Sequence, residues 1–380
     1  MNSNMNRIFN ILAAASAAAI FASCAGTAGQ KVTVSNGSTL DRTDETVELD
    51  FAALAAAHPE LTAENTVVLN AAGEQIPSQI YKEMDGKAVL LFQATVPAGT
   101  SAEYTIKAGE RADFPMLAYS RFVPERMDDY AYENNLLAGR IYGPALSDPR
   151  TFGPDLWLKC TDRLIIDEWY RKGDYHHNYG DGMDCYKVAN TLGAGALAPY
   201  ADNKIYIGDN YTSYQHICDG PIRTKAYFTY DAFDVNGRKV SATRVFSLDA
   251  NSRFIRTDMC FFTEGEKLPV VLGAVLHDVI AREDGPDYIS FTEKASDTKT
   301  PEKDGNISVG LVLSPAVEAL GTATMDGHAV IKAEIAPEKV VTVWTGSGWS
   351  QGGIESPEAW AKQVKDFAYA VANPLKVELK

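Results

Sequence analysis

Lys225-Ala-Tyr-Phe-Thr-Tyr-Asp231, Val240-Ser-Ala-Thr-Arg-Val-Phe-Ser-Leu248 and Phe254-Ile-Arg-Thr-Asp-Met-Cys-Phe-Phe262 follow one another with only short joints between them. β-Branched and aromatic side chains fill all three runs, as suits a pleated, half-buried surface. The first joint holds Asn236-Gly237, residues that accept the positive φ of a tight hairpin turn. The second, Asp249-Ala250-Asn251, is again rich in turn formers. Turn residues thus separate three successive strands. Val270–Val279 and Val340–Trp344 repeat the pattern, whereas Lys294–Asn306 is charged, nearly free of apolar residues, and reads as a solvated loop. One helix is well marked near the end: Ser356 caps it, Pro357 suits its first position, and Trp360, Val364, Phe367 and Val371 recur on one face. Many strands with few helices predict a mostly β chain built as a large antiparallel sandwich.

Towards the N-terminus the strand signals continue on a smaller scale. Val32, Val34, Val47, Leu49, Val67, Leu69, Val89 and Leu91 lie in short alternating runs between turns such as Asp85-Gly86. Residues 31–109 therefore read as a small β-sandwich module, and residues 110–380 as a larger β domain. Before the module, Arg7 precedes an apolar run from Ile8 to Phe21 that ends in Phe21-Ala22-Ser23-Cys24. A charged start, an apolar middle too short to span a bilayer and a small-residue exit describe a secretory signal. The exit resembles a lipobox, with Phe21 in place of the usual Leu. Residues 1–23 are thus expected to be removed, Cys24 to be lipidated, and residues 24–30 to form a tether. The expected location is exported and lipid-anchored, in the periplasm or at the outer membrane.

Composition excludes several classes. A formal charge of −15 opposes nucleic-acid binding, which needs a basic face. No phosphate loop, dinucleotide fingerprint, nucleophile elbow or zinc-protease helix is present. Cys160, Cys185, Cys218 and Cys260 contain no CxxC pair, so they either bridge in one of three connectivities or remain thiols.

Arg126-Met-Asp-Asp-Tyr-Ala-Tyr-Glu-Asn134, Arg140-Ile-Tyr-Gly-Pro144, Tyr175-His-His-Asn-Tyr-Gly-Asp-Gly-Met-Asp-Cys-Tyr-Lys-Val188 and Gly346-Ser-Gly-Trp349 occur in that order. Together they resemble the domain-of-unknown-function 4861 family of Bacteroidetes lipoproteins from polysaccharide-utilisation loci. The resemblance implies a galactose-mutarotase-like β-supersandwich, the fold also found in polysaccharide lyases. It further implies similarity to an ulvan oligosaccharide dehydratase, hence an oligosaccharide ligand and β-elimination, as dehydration or lysis, next to a uronate.

Such an elimination needs a base for the C5 proton, a cation for the carboxylate and an acid for the departing oxygen. His176 and His177 suit the base. Tyr175, Tyr179 or Tyr186 suits the acid. Arg140, Lys187 or Arg223 suits the carboxylate, arginine best for its bidentate fork. Glu133, Asn134, Tyr142 and Asp184 are further candidates for substrate binding, with Glu133 a base in an epimerase reading, and Trp349 is the tryptophan expected to stack on a sugar. Each has a structural alternative: a His-His pair in a polar loop, Asp184 paired with Lys187, Glu133 cross-linking strands to Arg126 or Arg140. No cofactor is expected; His and Asp in one segment leave a bound divalent cation as an alternative. A non-catalytic glycan-binding lipoprotein is the rival reading.

Overall fold

The structure is a computed structural model that describes residues 29–147 and 151–380; the signal segment 1–23 and Cys24 lie outside the described residues. The chain is mostly β, in antiparallel sheets, and divides into two units.

The first unit is a small sandwich. One sheet orders strands Lys376–Leu379, Gln30–Ser35, Ser101–Ala108, Thr66–Leu69 and Gln75–Ile76; the other orders Arg42–Asp50, Ala88–Val96 and Ser78–Lys82. Val32, Val34, Leu90, Phe92 and Ile106 meet between them, fully buried. Its membership is discontinuous: Ile217–Arg223 and Asn373–Lys380 join residues up to 117. Backbone and amide hydrogen bonds explain both additions, which a division at 109/110 leaves out. Lys376–Leu379 pairs with Gln30–Ser35, and the Gln79 side chain accepts from Ile222 and Arg223 N–H while donating to the Arg223 carbonyl. The Ala-rich stretch is a helix, Phe51–Ala57, capped by the Asp50 carboxylate.

The second unit, 118–216 with 224–372, holds the larger sandwich. An eight-stranded sheet runs Ser213–Cys218, Arg223–Val235, Arg238–Asp249, Phe254–Phe262, Val340–Trp349, Asn306–Leu313, Tyr288–Lys294 and Val279–Asp284. A five-stranded sheet contains Lys204–Ile205, Ala196–Ala201, Leu268–Val275, His328–Ile335 and Ala319–Met325. The shared core includes Leu272, Ile289, Ile307, Val309 and Leu311, all fully buried. A further five-stranded sheet, Gly182–Asp184, Asp155–Lys159, Ala138–Ile141, Asp129–Asn134 and Ala118–Val123, carries Glu133, Asn134, Arg140 and Asp184 of the residues singled out by sequence.

The three successive strands form as expected, and they pair as an antiparallel meander. Asn236 (φ 49°) and Gly237 (φ 85°) supply the two positive dihedrals of the first turn, and Asn251 (φ 63°) closes the second. The terminal helix spans Pro357–Ala372, with Ser356 Oγ accepting from Ala359 N–H. It buries Trp360 and Val364, and Phe367 stacks on Phe254 at 3.8 Å between centroids. Burying each such side chain is worth about 1.5–3 kcal/mol. Two stretches differ from expectation. Val270–Val279 is not one strand, because the buried Glu293 carboxylate takes both the backbone N–H and Nδ1 of His277 and turns the chain there. Lys294–Asn306 contains a short helical turn, Pro301–Asp304, within the loop. Cys185, Cys218 and Cys260 are buried thiols, and Cys160 is an exposed one.

Candidate functional site

Strand register gathers three carboxylates around Arg140. Arg140 lies opposite Asp155 on the neighbouring strand, and Asp184 lies one strand beyond, opposite Trp157. Gly182 (φ +126°) allows that last strand to close in, because a Cβ there would sit 1.9 Å from the Leu158 carbonyl oxygen. Arg140 Nε donates to Asp155 at 2.9 Å, Nη2 to Asp184 at 3.0 Å and Nη1 to the Tyr175 hydroxyl at 3.0 Å, with Asp129 3.4 Å away. Tyr142, Trp157 and Tyr175 surround the guanidinium with their rings. Burial opposes its charge, yet Asp155, Tyr142 and Asp184 together hold its proton more tightly than usual. Burial first, and then Asp155, push Asp184 well above the usual carboxylate range; burial also raises Asp129. One oxygen of each, Asp184 Oδ1 and Asp129 Oδ1, is buried with no hydrogen-bond partner.

This arrangement corrects several expected roles. Arg140, expected to hold a substrate carboxylate, is saturated by the protein's own. Tyr175 is buried against Trp157 with its hydroxyl accepting from Arg140, so it is not poised as an acid. Asp184 pairs with Arg140 rather than Lys187, which is exposed. Glu133 is fully buried; it binds Lys159 at 3.1 Å and accepts from Ile165 and Ile166 N–H, anchoring the start of helix Ile166–Lys172. Asn134 ties a turn to the Asp249 and Ser252 carbonyls. Tyr186 is in the core, its hydroxyl between the Gly193 and Val275 carbonyls. Trp349 is buried and donates to the Asp304 carbonyl, so no face is left for a sugar. Arg223 belongs to the first unit and pairs with Glu48. His177 and Tyr179 are exposed and touch edge to face. His176 is exposed, with Nδ1 3.0 Å from the Asp184 carbonyl oxygen and 3.7 Å from its carboxylate.

An aromatic cleft lies elsewhere in the same unit. It is walled by Tyr142, Tyr206, Tyr211, Tyr230 and Phe233, with Arg244 and the exposed Asp209 and Asp231 also among its lining residues. None of Tyr175–Lys187 lines it. Tyr142 joins the two regions: its ring lines the cleft while its hydroxyl donates to Asp155 at 3.0 Å. Arg244 is 7% exposed, donates to Thr257 Oγ1 at 3.3 Å, and lies against the Tyr230 hydroxyl. Among the described residues it pairs with no carboxylate. Burial raises the Tyr230 hydroxyl's pKa, and the Arg244 guanidinium draws it partly back. A nearly buried guanidinium without a counter-anion is costly unless a ligand supplies one. An anionic group entering among aromatic walls would meet that need.

The sequence did carry a signal for Arg244. Val240, Ala242, Phe246 and Leu248 alternate into the core, and Arg244 occupies the one charged position in that inward row. Among the described residues, no three His, Cys, Asp or Glu side chains are grouped so as to hold a metal ion.

A family model described as domain of unknown function DUF4861 matches residues 34–377. Uncharacterized protein P7 of Formosa agariphila is 30% identical over 389 residues, covering 96% of this chain and 97% of that one. A glycosyl hydrolase family 38 protein and an α-mannosidase, both from Enterococcus faecalis, superpose with a TM-score of 0.53 at 10% identity. Each match covers 95% of this chain but 48% and 47% of theirs, so the chain spans about half the length of those enzymes. At that identity the likeness shows a shared fold.

Proposed function

The chain belongs to the DUF4861 family, and we propose that it is a carbohydrate-active protein that binds and processes a uronate-bearing oligosaccharide in the Arg244 cleft. The observation that carries this reading is the nearly buried Arg244 guanidinium, unpaired with any carboxylate among the described residues, on the wall of an aromatic cleft. Aromatic faces suit the apolar side of a pyranose, and a guanidinium suits a carboxylate. The fold shared with a glycosyl hydrolase family 38 protein supports a sugar as the ligand.

The reaction in this reading is β-elimination. A base removes the C5 proton, the C5–H electron pair becomes the C4=C5 double bond, and the C4–O bond breaks. The oxygen leaves with a proton, as water in dehydration or as a sugar hydroxyl in lysis. Arg244 neutralises the carboxylate and so acidifies C5–H. Tyr230, beside it, exchanges the proton. Export and acylation at Cys24 belong to the same proposal.

His176 supports a second reading. Its Nδ1 faces Asp184, which leaves Nε2 free to act as a base on the exposed side of the Arg140 cluster. Purified protein is mixed with uronate-terminated oligosaccharides while ultraviolet absorbance of the conjugated product and its mass are followed. Turnover that Arg244→Met abolishes and His176→Ala spares supports the cleft; the reverse supports His176. Binding without a new chromophore leaves a glycan-binding protein.

A further inference from the structure

Tyr214 is 39% exposed, yet three aromatic neighbours hold its ring. Phe122 stacks beneath it at 4.8 Å with 19° between planes, Tyr130 tilts against it at 5.4 Å, and Tyr211 meets it edge-on at 6.2 Å. Tyr211 is itself a wall of the cleft. Tyr211 is pinned in turn, because its hydroxyl donates to the Asp128 carbonyl and its ring packs on Phe228. An aromatic path therefore leads from inside the cleft to the surface of strand Ser213–Cys218, the edge of the eight-stranded sheet. Polar groups follow the same route: Thr212 Oγ1 donates to the carboxylate of Asp231, a lining residue of the cleft.

We propose that Tyr214 is an outer sugar-binding subsite, so that the ligand is an extended oligosaccharide reaching from the Arg244 cleft across the edge strand. This rests on the cleft being the carbohydrate site and adds the length of its ligand. A ring already fixed by Phe122, Tyr130 and Tyr211 loses little conformational freedom when a pyranose stacks on it, which favours binding. Neighbouring hydroxyl and carboxylate groups suit sugar hydroxyls.

The test is calorimetry with a disaccharide, a tetrasaccharide and a hexasaccharide of one uronate-containing series, on the full chain and its variants. Tyr214→Ala is expected to weaken the longer ligands about tenfold, equivalent to about 1.4 kcal/mol, while leaving the disaccharide unchanged. Tyr214→Phe, which keeps the stacking face, is expected to restore them. Arg244→Met is expected to weaken every length alike. Equal affinity of Tyr214→Ala and the parent protein for all lengths overturns the subsite and leaves the cleft standing. Parent protein that binds none of the series overturns the cleft, and the subsite with it. Loss of all lengths in both Tyr214 variants marks a structural role and also overturns the subsite.

Discussion

Arg140 Nη2 lies 3.0 Å from one oxygen of Asp184, and the other oxygen of that carboxylate is buried without a partner. One guanidinium thus serves three buried carboxylates, with Asp129 and Asp155 as the others. The cluster carries more negative charge than its arginine cancels, and burial pushes Asp184 towards its protonated form.

That direction sets a pH dependence. A folded-state pKa above the unfolded value means that the native state keeps a proton the unfolded state has released. The group's contribution is fully present below the ordinary aspartate range and is lost as pH rises through the folded pKa. Melting temperatures across that window should fall less steeply for Asp184→Asn than for the parent. Parallel curves would rule out Asp184 as the titrating group.

Arg140→Met should be severe, since it strands three carboxylates. A loss of about 3–5 kcal/mol is expected from breaking such a buried pair, measured by urea unfolding. Arg140→Lys should recover only part, because an ammonium cannot reach three partners in a planar fork.

Glu133 should behave as a structural residue. Glu133→Gln leaves Lys159 buried without its counter-charge and is expected to destabilise by about 3–5 kcal/mol. Faster amide exchange at Ile165 and Ile166, which donate to Glu133, is the specific readout. Unchanged exchange there contradicts the anchoring role.

If the cleft is the catalytic site, Tyr230→Phe should lower kcat about 10²–10⁴-fold, the usual worth of a positioned acid or base. KM should barely move, whereas Arg244→Met should raise it. A Tyr230→Phe enzyme as fast as the parent assigns proton exchange to another group.

Acylation at Cys24 predicts that a bacterial host expressing the full chain yields a protein labelled by radioactive palmitate, and that Cys24→Ser removes the label. An unlabelled parent protein recovered outside the cytoplasm would mean export by an ordinary signal peptide.

The strands from Lys225 to Phe262, the Asn236-Gly237 turn between the first two and the Pro357–Ala372 helix were legible in the sequence. Strand alternation, turn dihedrals and helix caps are local consequences of residue type. The family resemblance was legible too, carried by Arg126–Asn134 and Tyr175–Val188. These same polar runs were misleading as a site. Glu133, Arg140, Tyr175 and Asp184 form charge and ring contacts across neighbouring strands, and only strand register decides that such groups satisfy one another instead of a ligand. Arg244 shows the converse. Its inward position was readable from Val240, Ala242, Phe246 and Leu248, but which inward charge finds a partner depends on the strands and loops packed over it. Period and turn chemistry are local and survive in one dimension; charge compensation and open space are sums over residues far apart in the chain, and the tertiary structure alone decides them.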